Sequence, residues 1–253
     1  EANGFSLAVS ADGKVAVAGS VEGALSGTTA KGGDDSFVTV FDASGKELWT
    51  ARRGATGDDQ VNDIAFAPDG GVVVVGQTAS ALTGSIALGG VDAYVRGYNP
   101  NGTETFTRQF GSGGADAATA LLVRDNGAGG VEIFTGGVEN NRGIVRSFTY
   151  SSAGGLTAGA TRDIGYFYEG AIASLAVDGQ SLYVGGQTGA DRLSLGATGR
   201  AAVAGKEGFV ARLDADLVST TLDRASYLGS SQDDAVKSIA IVNGDVYAAG
   251  VSG

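Results

Sequence analysis

Short runs of β-branched, aromatic and small apolar residues, each broken after four to eight positions by Gly, Asp, Asn or Ser, run the length of the chain. Their order repeats. The first signal is an apolar segment ending in a small residue or leucine: Phe5-Ser6-Leu7-Ala8, Asn62-Asp63-Ile64-Ala65, Thr119-Ala120-Leu121-Leu122, Ala173-Ser174-Leu175-Ala176 and Lys237-Ser238-Ile239-Ala240, with last positions 57, 57, 54 and 64 apart. A turn follows each one, at Ala11-Asp12-Gly13, Pro68-Asp69-Gly70, Asp125-Asn126-Gly127, Asp178-Gly179 and Asn243-Gly244. Asx and Gly supply the positive φ angles that a tight hairpin needs.

A second strand then closes on glycine, at Gly19, Gly76, Gly136, Gly186 and Gly250. After a Gly/Ser/Thr-rich loop comes a third strand, with an aromatic residue or Ile before Val: Phe37-Val38, Tyr94-Val95, Ile144-Val145 and Phe209-Val210. A second turn, clearest at Asp42-Ala43-Ser44-Gly45 and Asn99-Pro100-Asn101-Gly102, leads to a fourth strand that holds Trp49 or Phe106 and ends at Gly54, Gly111, Gly165 or Gly229. Four strands per 57-residue period predict an all-β fold, a β-propeller of four-stranded antiparallel blades. A parallel β-helix has much shorter coils and no need of paired hairpin turns at fixed places in each period. The units run over 1–57, 58–114, 115–168, 169–232 and 233–253, which makes four full blades and a half blade in one domain. The aromatic and Val pairs of the third strands are expected to fill the layers between blades, and Ala8, Ala65, Ala176 and Ala240 to crowd near the axis. The glycine-free run Phe209–Leu228 reads as third and fourth strands joined at Leu213–Leu217, because Val218-Ser219-Thr220-Thr221 opposes a helix. A half blade leaves an open sheet edge, so a protein partner or a second copy is expected to complete it if the chain is not simply a piece of a longer propeller.

Asp92-Ala93-Tyr94-Val95, Asn99-Pro100-Asn101-Gly102, Phe106, Phe110-Gly111, Asp116 and Leu121 together resemble the bacterial SBBP-type β-propeller repeat. The resemblance covers nearly the whole chain and is weakest in the third unit, where Arg142 stands in place of the acidic residue and no aromatic matches Trp49. It implies a scaffold in a secreted or cell-surface bacterial protein, among which are adhesins and envelope- or flagellum-associated components. Fold alone does not give function. WD40 and Kelch signatures are missing.

Composition narrows the chemistry. The chain of 253 residues is 43% hydrophobic and 18% charged, with 44 Gly, 2 Pro and neither His nor Cys. Triads built on His, thiolate nucleophiles, disulfides and the usual zinc sites are therefore excluded. No catalytic residue is assigned, and the expectation is a non-catalytic binding or structural module. A net charge of −11 opposes binding to nucleic acid and to anionic lipid. No apolar run approaches the roughly 18 residues of a membrane span, and no leader opens the chain at Glu1. The expectation is a mature secreted product or an excised piece, without membrane insertion.

The best site-like pattern is acidic: Asp58 and Asp59, Asp116, and Asp233 and Asp234 precede first strands, with Glu169 near the corresponding place in the third junction. Carboxylates repeated on one face are calcium candidates or sugar acceptors. The competing reading, that an Asp at a turn satisfies backbone N–H groups, is preferred because no loop carries dedicated calcium-loop spacing. Gly111-Ser112-Gly113-Gly114 lacks a following helix and reads as an inter-blade turn, and Arg52, Arg53, Arg142 and Arg146 as locally paired. Two rival functions stand beside the module. A glycan-binding lectin or adhesin needs exposed aromatics such as Trp49, Tyr166 or Tyr168, and a polysaccharide-degrading enzyme needs two converging carboxylates roughly 5 to 9.5 Å apart.

Overall fold

The computed structural model describes residues 2–23, 25, 27–167, 169–189, 193–199 and 205–253. These form antiparallel meanders in which sequence neighbours pair. The first sheet has the order β1 (Ala2–Val9), β2 (Val15–Val21), β3 (Asp35–Phe41), β4 (Glu47–Arg53), and the second β5 (Asp59–Phe66), β6 (Val72–Thr78), β7 (Asp92–Tyr98), β8 (Glu104–Phe110). The third joins β9 (Asp116–Asp125), β10 (Val131–Glu139), β11 (Arg142–Ser151) and β12 (Gly155–Tyr166). The fourth joins β13 (Ala171–Asp178), β14 (Ser181–Gln187), β16 (Gly208–Asp214) and β17 (Arg224–Leu228), and a short β15 (Ala197–Thr198) adds parallel to β17. β18 (Asp234–Val242) and β19 (Asp245–Ser252) form a two-stranded sheet. No sheet among the described residues is closed, and none of their helices is long and apolar enough to cross a membrane.

The repeat has a structural cause. Between the first and second strands of the first, second, fourth and last sheets the register slips by one residue, at Phe5, Asn62, Ala173 and Lys237, the residues on which four of the apolar signals begin. The bulge turns a first-strand carbonyl onto the second strand, where only glycine fits: a Cβ on Gly19, Gly76, Gly186 or Gly250 would lie 1.8, 1.9, 2.1 or 1.9 Å from the carbonyl oxygen of Asn3, Gln60, Ala171 or Ala235. Phe37, Tyr94 and Phe209 stand across the sheet from Gly19, Gly76 and Gly186, covering the gap the glycine leaves. Tyr94 also donates its hydroxyl to the Gln60 carbonyl at 3.1 Å. Val38, Tyr94, Val95 and Phe209 are buried as expected, whereas Phe37 and Val210 are half-buried. Of the four alanines, Ala176 is buried, Ala8 and Ala65 are half-buried, and Ala240 is exposed.

Hairpin turns at Ser10–Lys14, Asp42–Lys46, Ala67–Gly71 and Asn99–Thr103 share one pattern. The first residue's N–H bonds the fifth residue's carbonyl, and the glycine at the fourth place, at positive φ, donates back to the first. The run after Phe209 departs from expectation. The fourth strand starts only at Arg224, because Asp214 and Asp216 draw Leu222 N–H and the N–H groups of Val218 and Ser219 into an extended connection.

The chain divides into two compact units, residues 1–133 with Thr149–Thr157, and Phe134–Phe148 with residues 158–253. In the first, Ala16, Val38, Val61, Ile64, Val74, Tyr94 and Tyr98 build a continuous core from the first two sheets. In the second, Val236 and Ile239 pack on Ala176. First strands of successive sheets also bond to one another. Asp63 on β5 accepts the Ser6 hydroxyl of β1 at 2.9 Å and the Leu121 N–H of β9 at 2.8 Å, and in the second unit Ile239 N–H donates to the Ser174 hydroxyl at 3.1 Å.

Candidate binding groove

The repeated aspartates are built into strand starts. Asp59, Asp116 and Asp234 are buried, and each accepts the N–H of the residue four places earlier, Ala55, Ser112 and Ser230, at 2.6 Å. The carboxylate occupies the place of a missing side chain. A Cβ on Gly54 would lie 2.9 Å from Asp59 Oδ2, and one on Gly111 or Gly229 would lie 2.3 Å from Asp116 or Asp234 Oδ2. Asp58 and Asp233 are exposed and accept the N–H groups of Asp34 and Lys206, both at 3.1 Å. The third junction has Gly170 at the position of these buried aspartates, while Glu169, at φ 58, pairs with Lys206 at 3.1 Å.

Asp92, read from the sequence only as part of the repeat resemblance, and Asp35 use the same four-residue return at the starts of β3 and β7. They accept Lys31 and Leu88 N–H at 2.8 Å. Asp35 is also held by the buried Arg52 at 2.6 Å, and Asp92 by the Gln109 amide at 2.7 Å. Their signal was the 24-residue offset from Asp59 and Asp116. Burial pushes the Asp59 carboxyl above its ordinary value and nearby Asp35 adds to this, against the Thr78 and Ala55 hydrogen bonds and the charge of Arg96. No group of three or more metal-ligating acids is assembled among the described residues. The other candidates are engaged as well: Arg53 with Glu104, Arg142 with Asp163, Arg146 with Glu139, and Ser112 with Asp116.

A different place offers open space. A groove of about 580 Å³ lies between turns of the second and third sheets, within the first unit. Asp69 comes from the β5–β6 turn, Asn99 from the β7–β8 turn, Asp125 from the end of β9 and Ser152 from the β11–β12 turn. Its wall is aromatic. Phe106 and Tyr150 meet with ring centroids 4.7 Å apart and planes tilted by 45°. Phe106 is seated on Gly97, where an added Cβ would come within 2.2 Å of the ring, so the ring cannot retreat into the sheet. Asp69 and Asp125 are exposed, and each spends one oxygen on its own turn, on Gly71 and Gly127 N–H at 2.9 and 2.7 Å. No lysine or arginine lines the groove among the described residues. Its size and mixture of apolar wall with few polar groups are those of a ligand site.

Trp49 does not belong to this groove. It lies half-buried on the Asn99–Gly102 turn, donating Nε1–H to the Pro100 carbonyl at 3.0 Å. Tyr166 is exposed and Tyr168 lies outside the described residues.

No family model matches the chain. Regulatory protein FlaEY of Caulobacter vibrioides is 36% identical over an alignment of 292 residues that takes in 100% of this chain and 30% of the relative, so the chain spans less than a third of that protein. Among solved structures, a Bacillus licheniformis rhamnogalacturonan lyase aligns at TM-score 0.45 and 13% identity over 93% of this chain and 52% of its own. A Bombyx mori β-fructofuranosidase aligns at 0.42 and 11% over 99% and 54%, and a putative glycoside hydrolase of Parabacteroides distasonis at 0.42 and 12% over 98% and 83%.

Proposed function

We propose that the chain is a non-catalytic β-propeller module of the SBBP-repeat type, and that it mediates protein–protein assembly within a larger bacterial regulatory protein. The observation that carries the propeller reading is the hydrogen bonding of successive first strands within each unit, Ser6 to Asp63 to Leu121 in the first and Ser174 to Ile239 in the second, which suits neighbouring blades. The regulatory setting is taken from the name of the 36% identical relative, and the secreted or surface location, with its flagellum or envelope association, from the repeat resemblance. The groove between the second and third sheets is the proposed contact surface.

The non-catalytic part rests on the groove's carboxylates. A general acid is kept protonated by a dry, apolar setting, whereas Asp69 and Asp125 are exposed turn residues. Residue-specific cross-linking in the native cells, from a photoreactive group at Ser152 and at a control site, the exposed Asp178 at the end of β13, tests the reading. Cross-links from the groove to one defined protein surface are expected. Release of reducing ends from polysaccharide by the purified chain would overturn the non-catalytic assignment. Saturable glycan binding without a protein partner would favour the lectin alternative, for which the Phe106–Tyr150 wall is the specific observation.

A further inference from the structure

The groove's lining is unbalanced in a way that names its ligand. It offers aromatic ring surface from Phe106 and Tyr150 and carboxylate charge from Asp69 and Asp125, while its side-chain donors are one amide, Asn99, and hydroxyl groups. A neutral sugar needs converging donors and acceptors fixed in direction, and Asn99 has already committed its Oδ1 to Asn101 and Thr103 N–H at 3.0 Å. An anion would meet two carboxylates in a chain of net charge −11. A cation uses what the groove has and requires nothing that it lacks. Ring faces attract ammonium and guanidinium groups, and the second oxygen of Asp69 and of Asp125 has no protein partner among the described residues.

We infer that the groove seats a lysine or arginine side chain presented by a peptide segment of a partner protein, its aliphatic stem against Phe106 and Tyr150 and its charged head toward Asp69 and Asp125. This rests on the protein-binding reading above and specifies the partner's chemistry. The fixed ring of Phe106 on Gly97 makes the wall pre-formed, so little ordering cost falls on binding.

The test is an amide chemical-shift titration of the isotopically labelled chain with acetyl-Gly-Lys-Gly-Gly-amide, its Arg counterpart and its norleucine counterpart. Saturating shifts at Asn99, Gly129, Gly130 and Ser152 are expected for Lys or Arg, with norleucine weaker by about tenfold. Phe106→Leu keeps apolar bulk on Gly97 and removes the ring face, and the pair Asp69→Asn with Asp125→Asn keeps the turn caps and removes the charges. Each change should weaken binding by about five- to tenfold. Asp178→Asn with Asp245→Asn removes the same charge at exposed sites elsewhere and should change nothing. Equal weakening by this control, or wild-type binding in the groove variants, would reduce the effect to general attraction to an acidic surface and overturn the inference. Shifts at these amides with neutral oligosaccharides but not with the Lys or Arg peptide would also overturn it, in favour of a sugar. No response to any probe would overturn it too, while groove cross-links to a protein would still leave the assembly reading standing.

Discussion

The same repeat position does opposite things at two places in the first unit. On β4, Trp49 lies over the Asn99–Gly102 turn, packs on Tyr98 at 5.7 Å between ring centroids, and closes the space with an indole hydrogen bond to Pro100. On β8, Phe106 is smaller, carries no donor, and faces a third sheet whose β11 and β12 run 10 and 12 residues where β7 and β8 run 7 each. The longer hairpin brings Tyr150 rather than a turn against the ring, and a groove remains. A repeat architecture gives every junction the same scaffold. The groove here arises where one junction departs from that scaffold, through a smaller side chain and a lengthened hairpin.

The sharpest way to break the comparison is at the turn glycines. Gly102 and Gly155 both hold left-handed φ angles, +80° and +69°, but a Cβ on Gly102 would lie 2.7 Å from the Trp49 ring while one on Gly155 would meet open space. Gly102→Ala therefore carries both backbone strain and expulsion of the indole, and we expect a loss of about 3–4 kcal/mol. Gly155→Ala carries strain alone and should cost about 1 kcal/mol. Urea denaturation of the two variants measures the difference, and equal losses would mean that Trp49 is not seated on its turn.

Exchanging the aromatics comes next. Trp49→Phe removes bulk and leaves the Pro100 carbonyl without its indole donor, for an expected cost of about 2–3 kcal/mol. The converse, Phe106→Trp, should fill the groove with a stability change within about 1 kcal/mol and abolish Lys-peptide binding. If the filled groove still bound the peptide, the contrast between the two junctions would have no functional meaning.

Much of this framework was legible in the chain, and the reason is steric. Four of the strand signals begin at bulged residues, and the closing glycines recur because a first-strand carbonyl leaves no room for a Cβ at Gly19, Gly76, Gly186 and Gly250. Such local constraints repeat in sequence because they repeat in space. The acidic pattern was visible, and Asp58, Asp59, Asp116, Asp233 and Asp234 each accept a backbone N–H. The groove was not legible. Phe106 and Tyr150 lie 44 positions apart in chain order, and their meeting depends on the length of β11 and β12, which no single residue type announces. The displaced start of β17 was hidden similarly, since it follows from where Asp214 and Asp216 find their donors.

Asp63 bonds across both junctions, and its titration gives a small but discriminating effect. Burial raises its carboxyl pKa above the ordinary 3.8, more than the bonds from Ser6, Ile64 and Leu121 lower it. The folded state therefore holds this proton to higher pH than the unfolded chain does, so its contribution to stability is complete below about pH 4 and is lost as pH rises through the folded pKa. Asp63→Asn removes that slope. It also leaves a single acceptor oxygen for two backbone donors, because Ile64 N–H bonds Oδ1 and Leu121 N–H bonds Oδ2. Losing one of them should cost about 1–2 kcal/mol. The stability gap between wild type and D63N, measured by urea denaturation at a series of pH values, should be widest in acid and narrow toward neutrality. Loss of the Leu121 N–H protection from hydrogen exchange in D63N, with the β1 amides unchanged, would place the damage at the second junction alone. A gap that widened with pH would mean that the charged carboxylate is the form the first strands hold most tightly, and that their hydrogen bonds outweigh burial at this position.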